Sequence, residues 1–479
     1  MTGKSSLLVF AKRDCPTCEL VVPVIRALAA RDTAFKVYSQ DDPGFPEQVA
    51  GVVDDRELAE SFRHRVEIVP TLIRFEGGVE VARTEGWDVK EWRRITGIDD
   101  LGEGLPALRP GCGSKSVEPG LAEYLQVRFG DTGIRSRKVE FGKYDDDVEV
   151  CFERGWSDGL PVTPPIDVRV LRMLQGTTRK PDEVVGRIPP NLAECTVEKV
   201  AINAVMAGCK PEYMPVVLAT IEAALEPVFT LHGLLATTYF SSPIIIVNGP
   251  VAKRIGMNCG LNALGQGNRA NATIGRALQL IVRNVGGGRP GEADRATLGG
   301  PGKYTFCFAE DESDAGWEPL SVSRGVARGV STVTLFQGEG VQGFVDQRSR
   351  SPDDLARSLA MGLNAIGHPK IAQSQRAILV LSPEHYAIFS EAHWDRKRIE
   401  DAINAATVRP GRDLVAGAQG VGEGIPAARA GEAVPKFNEG GLMIVRAGGP
   451  AGLFSAILPG WIAGRNHLEL QPVTKEIKP

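Results

Sequence analysis

The chain has 479 residues, 43% of them hydrophobic and 24% charged, with a formal net charge of −4. At about 100–200 residues per domain that is too long for one core, so two to four domains are expected. The near-balanced charge excludes a broad electrostatic footprint for nucleic acid or anionic lipid, and eight cysteines over such a length do not make a secreted disulfide framework.

Residues Met1 to Ser6 do not form a charged segment leading into a long apolar one, and Leu7 to Ala11 is too short for a signal core. The first predicted strand is that run, Leu7 to Ala11. It ends in Cys15-Pro16-Thr17-Cys18, two cysteines spaced so that a helix starting there places both sulfurs on one turn. Glu19 to Ala30 carries helical periodicity with a kink at Pro23. Ala34 to Tyr38 reads as a strand, Arg56 to Arg63 as a helix, and Val66 to Phe75 with Val79 to Arg83 as a hairpin around Gly77-Gly78. Val89 to Ile95 closes the unit as an amphipathic helix. The order is βαβαββα.

A helix start offers free N–H groups and partial positive charge, so the Cys15 thiolate is favoured there, with Lys12 and Arg13 adding charge. Cys18, one turn along, can attack a mixed disulfide at Cys15 and release the product. The alternative use of a Cys-x-x-Cys pair, half of a structural zinc site, lacks a second pair or nearby histidines to complete four ligands. Together the element order, the dithiol after the first strand and Val69-Pro70-Thr71 at the hairpin resemble the thioredoxin/glutaredoxin family over residues 5–98. The resemblance implies that Pro70 is a cis-proline lying against the dithiol. The Pro16-Thr17 insert resembles glutaredoxins more than thioredoxins, but the acidic pair glutaredoxins use for glutathione is missing after Gly77-Gly78.

Residues 99–120 are rich in glycine and proline and read as a linker between a domain at 1–98 and the rest. Inside it, Arg109-Pro110-Gly111-Cys112-Gly113-Ser114-Lys115-Ser116 ends like a phosphate-binding loop. Ser114 stands where such a loop needs glycine, and no strand precedes it, so nucleotide binding is rejected. Cys112, between two glycines and near Arg109 and Lys115, is expected to be accessible and thiolate-prone. It reads either as an incidental cysteine or as a target of Cys15 or a nucleophile.

Beyond residue 120, strands are predicted at Ile244 to Val247, Thr332 to Phe336, Ala377 to Leu381 and Leu442 to Arg446. Helices are predicted at Val197 to Ala207, Pro215 to Ala224, Ala270 to Asn284, Leu355 to Ala365 and Lys397 to Ala406. The alternation argues for a large multi-layer α/β region, divided into 121–330 and 331–479. Ile244 to Val247, bounded by proline and glycine, typifies the apolar runs: none spans a bilayer. The strings Gly155 to Pro165, Ala204 to Tyr213, Asn258 to Arg276 and Gly299 to Thr305 resemble a bacterial family associated with UGSC-type selenoproteins, sometimes fused to a thioredoxin-like domain. That likeness covers most of 115–479 and implies sulfur or selenium redox chemistry. The selenoprotein motif itself is kept only as Cys112-Gly113-Ser114.

The fold class expected is therefore α/β: a thioredoxin-like first domain and a large α/β region. Substrate-binding candidates are Asp158, Asn258, Asn262, Asn268, Arg269, Asn271, Arg276, Lys303 and Tyr304, an amide- and guanidinium-rich set suited to a small anion. The same amides could instead be helix caps and turns. Cys259, among glycines and amides, is the better reactive candidate beside Cys209, while Cys151, Cys195 and Cys307 read as structural. His385, just past a predicted strand, is the leading general acid/base, ahead of His232; His64, His368, His393 and His467 complete the histidines, and none is spaced as a metal site. Glu310 and Asp311 read as a paired acid/base or a solvated turn.

The function expected is a cytoplasmic thiol-dependent enzyme, an oxidoreductase linked to thiol–disulfide exchange or a thiol-dependent lyase. The Cys15/Cys18 dithiol regenerates a cysteine of the large region, which acts on a small, anionic, sulfur- or heteroatom-containing molecule. No metal or cofactor beyond the dithiol is expected, and an external thiol or reductase supplies electrons. Alternatives are a thiol-independent lyase or hydrolase with a redox-sensing first domain, and a docking partner of a selenoprotein. No nucleic-acid or membrane partner is expected; a homo-oligomer is compatible with the composition.

Overall fold

A computed structural model describes residues 5–31, 34–462 and 470–478, so His467 lies outside the described residues. The chain divides into two compact units, Met1–Gly133 and Ile134–Pro479, both α/β.

The first unit is built on β1 (Ser5–Ala11). Its last four residues, Leu8 to Ala11, are buried, as expected of a strand covered on both faces. On one side β1 runs parallel to β2 (Lys36–Ser39), and β2 runs parallel to β3 (Val52–Asp54). The sequence reading missed β3, whose three residues are too few to show periodicity. The predicted first helix is two: α1 (Pro16–Leu20) and α2 (Val22–Arg31). Pro23 lacks the N–H that would reach the Glu19 carbonyl, so the ladder breaks at Val21. Next comes α3 (Ala59–Arg63), then β4 (Ile68–Val69), and beyond Pro70 β5 (Thr71–Glu76), antiparallel to β1. β6 (Val79–Glu85) completes the sheet in the order β3-β2-β1-β5-β6. Gly77 and Gly78, at φ +61° and +85°, supply the left-handed pair a two-residue hairpin needs. β7 (Trp87–Asp88) leads into α4 (Val89–Thr96), capped by Asp88 and closed by Gly97 at φ +72°. Phe10, Ile25, Leu72, Ile73, Trp87 and Trp92 are all fully buried, each contributing about 1.5–3 kcal/mol through burial.

Residues 99–120 are not a free linker. They lie within this unit: β8 (Leu108–Arg109) pairs antiparallel with β7, and β9 (Cys112–Gly113) pairs antiparallel with β4. The unit then ends in α5 (Leu121–Phe129). Extended glycine- and proline-rich backbone can add edge hydrogen bonds without any apolar repeat, which is why composition suggested a linker.

The second unit holds two four-stranded sheets. One has the order Cys307–Ala309, Ser242–Asn248, Thr332–Gly338, Val473–Glu476; the other Gln342–Val345, Phe454–Pro459, Ala377–Leu381, Leu442–Arg446. Alternation along each strand sorts the layers. Ile244 and Ile246 meet Ile378, Val380 and Val445 between the sheets. Ile245 and Val247 face helices Val197–Ala207, Met214–Ala224 and Arg269–Asn284. Leu379, Leu381 and Ile444 face helices Pro352–Ala365 and Arg396–Thr407. The result is helices, sheet, sheet, helices. The expected division near residue 330 does not separate the sheets, because Thr332–Gly338 and Val473–Glu476 both belong with Ser242–Asn248. Among the described residues no single helix is long and apolar enough to cross a membrane; one bent pair, Pro211–Ala224 with Pro227–Ala236, passes by length and composition, and Met214–Ala224 is almost wholly buried in the core.

Candidate active site

Cys15 is the N-cap residue of α1, with extended backbone (φ −154°, ψ 108°) that aims its sulfur back over the first turn. The sulfur accepts the Cys18 N–H at 3.2 Å and lies 3.5 Å from the Val69 carbonyl oxygen. The Val69–Pro70 peptide bond is cis. The hydrogen bond from Cys18 is the largest influence on Cys15; burial opposes it, the Cys112 thiol and the N–H groups of Cys18 and Thr17 assist it, and Cys15 is lowered to about 5. Charge on the cluster is thus held by local donors. Cys18 is fully buried and is raised, first by that burial and then by its bond to Cys15.

Two expectations about the surroundings are corrected. Arg13 does not serve the thiolate: its guanidinium reaches Asp42 at 2.6 Å and Glu47 at 2.5 Å, and carboxylates satisfy it. Cys112 is not thiolate-prone. Its thiol is raised by burial and by the bond to Cys15, which outweigh the charge of Lys12. A proton donor to Cys15 has to keep its proton. Among the described residues no group of three or more His, Cys, Asp or Glu side chains is placed to hold a metal ion.

In the second unit, the amide-rich approach to helix Arg269–Asn284 is turn and cap chemistry. Asn268 caps the helix by accepting from the Asn271 N–H at 3.0 Å and donates to the Gly256 carbonyl at 2.8 Å. Asn271 accepts the Asn258 N–H at 3.1 Å and donates to the Asn258 carbonyl at 2.8 Å. Asn258 donates to the Leu261 carbonyl at 2.8 Å and Asn262, at φ +59°, to the Gln266 carbonyl at 2.7 Å. Arg269 holds the Gly208 carbonyl at 2.8 Å. Arg276 grips Asp158 with two bonds of 2.8 and 2.7 Å and also donates to the Leu160 and Pro161 carbonyls. Burial alone would raise the Asp158 carboxyl, yet the guanidinium outweighs it and holds the group low. Lys303 is paired with Asp294 at 2.7 Å. Tyr304 is exposed. The anion set is therefore spent on holding loops.

His385 is fully buried. Its Nδ1 lies 2.7 Å from the Ser455 hydroxyl and its Nε2 3.0 Å from the Asp346 carbonyl, so both ring nitrogens are occupied by structural partners. Cys259 is half-buried and its thiol is raised, first by burial and then by the Asp311 carboxylate. Cys151, Cys195, Cys209 and Cys307 are buried; burial pushes Cys195 and Cys209 up to about 12.

Glu310 and Asp311, read as a paired acid/base or a solvated turn, are not a solvated turn: Glu310 is buried, and sequence reasoning missed their partners in a polar network at the ends of strands Ser242–Asn248, Cys307–Ala309 and Leu442–Arg446. Glu310 is buried and accepts from Asn248 at 2.6 Å, from the Trp317 indole at 2.8 Å and from the Leu320 N–H at 2.7 Å. Arg446 pairs with Asp311 at 2.9 Å and stacks 4.2 Å over the Tyr386 ring, while its Nε and Nη1 have no hydrogen-bond partner among the described residues. The Cys259 carbonyl accepts the Gly448 N–H at 2.9 Å, and the charges of Asp311 and Arg446 reach its thiol through space. The signal available was that Asn248, Glu310 and Arg446 each end or follow an apolar strand.

Solved structures similar to part of the chain are thioredoxin-like. Thioredoxin O2 from Arabidopsis thaliana in the oxidised state is 27% identical over 19% of this chain and 72% of that one, with a TM-score of 0.15. StoA from Bacillus subtilis is 13% identical over 20% and 84%, at 0.17. Thioredoxin f2 from Chlamydomonas reinhardtii is 13% identical over 22% and 85%, at 0.15. At such scores the chemistry rests on the site's own geometry. No family model and no curated protein matches the chain, and none of these comparisons supports the likeness of residues 115–479 to the UGSC-type family.

Proposed function

We propose that the chain is an oxidoreductase working by thiol–disulfide exchange, with Cys15 as the attacking thiolate and Cys18 as the resolving thiol. The observation that carries this reading is the placement of the Cys15 sulfur at the start of α1, where it accepts the Cys18 N–H at 3.2 Å with Cys18 buried one turn along; the donors around it lower Cys15 and burial raises Cys18. Cys15 attacks a disulfide, one product thiol leaves, and a mixed disulfide remains. Cys18 then gives up its proton, attacks the Cys15 sulfur and expels the second thiol. The chain ends oxidised, so an external thiol or reductase must return two electrons. We extend the proposal to the second unit: its target is Cys259, the cysteine there that is not fully buried. Arg446, whose charge reaches Cys259 and two of whose nitrogens have no hydrogen-bond partner among the described residues, suits a small anionic sulfur compound.

The test uses the full chain with oxidised glutathione as the probe disulfide. The reduced chain should consume it, Cys15→Ser should not, and the double variant Cys18→Ser, Cys112→Ser should stop at a Cys15–glutathione adduct. Turnover that survives Cys15→Ser would refute the assignment. For the extension, a Cys15–Cys259 mixed disulfide trapped in the chain carrying both Cys18→Ser and Cys112→Ser would support it, and a Cys259 that never enters any disulfide would remove it.

A further inference from the structure

We infer that Cys112 is a second resolving thiol, carried on a strap, residues 108–113, that closes over Cys15 as an internal substrate; this rests on Cys15 being the attacking thiolate. Three features seat the strap. Its register on β4, Ile68 opposite Gly113 and Val69 opposite Cys112, puts the third thiol beside the residue whose carbonyl faces the Cys15 sulfur. The Thr17 hydroxyl donates to the Pro110 carbonyl at 2.6 Å, tying the strap to α1 inside the dithiol loop itself. Beyond the thiol, Gln40 donates to Ser114 at 2.7 Å and accepts the Lys115 N–H at 3.1 Å, while Ser116 donates to the Val66 carbonyl at 2.5 Å. The close approach is possible because residue 111 is glycine: a Cβ there would meet the Ile68 side chain and stand 2.7 Å from the Val69 oxygen.

Cys112 thus stands opposite Val69, whose carbonyl oxygen lies 3.5 Å from the Cys15 sulfur, and Cys18 gives that sulfur its backbone N–H at 3.2 Å, so two cysteines border Cys15. The two differ in access: Cys18 is fully buried, whereas Cys112 is partly exposed. When Cys15 carries a glutathione adduct, Cys112 loses its proton to solvent and its thiolate attacks the Cys15 sulfur. The Cys15–glutathione bond breaks, glutathione leaves as thiolate and takes up a proton, and a Cys15–Cys112 disulfide remains. Across both steps one glutathione disulfide is reduced to two thiols and two protein thiols become one disulfide. While closed, the strap also occupies the β4 edge, which an extended protein substrate would otherwise pair with.

The experiment takes the reduced full-length Cys18→Ser chain, adds oxidised glutathione, quenches with acid, alkylates and maps disulfides by mass spectrometry. The expected product is the Cys15–Cys112 peptide pair as the major species. Adding Gly111→Val, which lifts the strap, or Thr17→Val, which loosens it, should lower that pair at least about tenfold or severalfold respectively and leave Cys15 bearing glutathione. Accumulation of the Cys15–glutathione adduct with free Cys112 in the Cys18→Ser chain, or a Cys15–Cys259 pair in its place, overturns the strap while leaving the reactivity of Cys15 intact. A Cys15 that stays free overturns the parent reading and this inference with it.

Discussion

Cys15 in the first unit and Cys259 in the second are the same side chain, burial raises both, and they end on opposite sides of neutrality. Cys15 is surrounded by donors, two thiols and two N–H groups. Cys259 faces the Asp311 carboxylate, and the pull of Arg446 does not offset it. Burial disfavours a thiolate wherever it occurs; what decides is whether the fold supplies hydrogen-bond donors or a negative charge. The comparison also ranks the units. The first holds a thiol lowered below neutrality, while the second holds one raised above its ordinary value.

The largest effect that could break this contrast is on exchange itself. Cys15→Ser should reduce consumption of oxidised glutathione to the uncatalysed background. In the intact chain, the alkylation rate of Cys15 should reach half its plateau near pH 5 and be flat above about pH 7, whereas that of Cys259 should still be climbing at pH 9. Parallel profiles would erase the difference. Cys18→Ala removes the strongest donor to Cys15, so its half-point should move up by about one pH unit or more, the worth of one hydrogen bond to a charged group.

The same shift links to stability. The folded Cys15 binds fewer protons than the unfolded one between its folded value of about 5 and its ordinary value of 9.0. Its contribution is therefore fully present above pH 9 and is lost as pH falls toward 5. Cys18, raised by burial, has the opposite sign: its contribution is full below pH 9 and is lost at higher pH. Hydrogen exchange of peptides spanning β1 and α1 in the reduced chain should slow, after correction for intrinsic rates, from pH 5 to pH 8. In Cys15→Ser that slope should vanish.

Much of this was legible in the sequence and some was not, for physical reasons. The Cys-x-x-Cys pair, the hairpin glycines and the helix Val197–Ala207 announce themselves because spacing, turn chemistry and capping are local. Ala377–Leu381 and Leu442–Arg446 emerge with the same bounds because both faces are buried and the run is continuously apolar. The strap is invisible because backbone pairing to an edge asks nothing of side chains except a glycine at 111. The amide cluster misled because an asparagine that caps a helix and one that holds an anion look alike until their partners are placed. His385 misled for the same reason: its position after a strand was right, and its burial against Ser455 could not be read.

A smaller effect tests the structural reading of the second unit. Asp158 and Arg276 have side chains only 11% and 14% exposed, and the pair anchors the Leu160–Pro161 turn. Arg276→Met leaves a mostly buried carboxylate unpaired and should cost about 3 kcal/mol, seen as a lower denaturant midpoint, with the rate of glutathione exchange at Cys15 unchanged. Were Arg276 an anion ligand with room to spare, the variant would keep its stability and lose ligand binding instead.

The smallest effect discriminates cap from ligand at Asn268. Its side chain accepts one N–H of the first turn of a 16-residue helix and donates to the Gly256 carbonyl. Asn268→Ala should therefore cost about 1 kcal/mol. Asn268→Asp keeps the accepting oxygen and adds favourable charge at the helix start, but loses the donor to Gly256, so its cost should fall below that of alanine. An anion bound there would reverse the order, because a carboxylate would repel it. Sulfate would then raise the unfolding midpoint of the wild-type chain while leaving Asn268→Asp unmoved. If the residue is a cap, sulfate shifts all three chains alike.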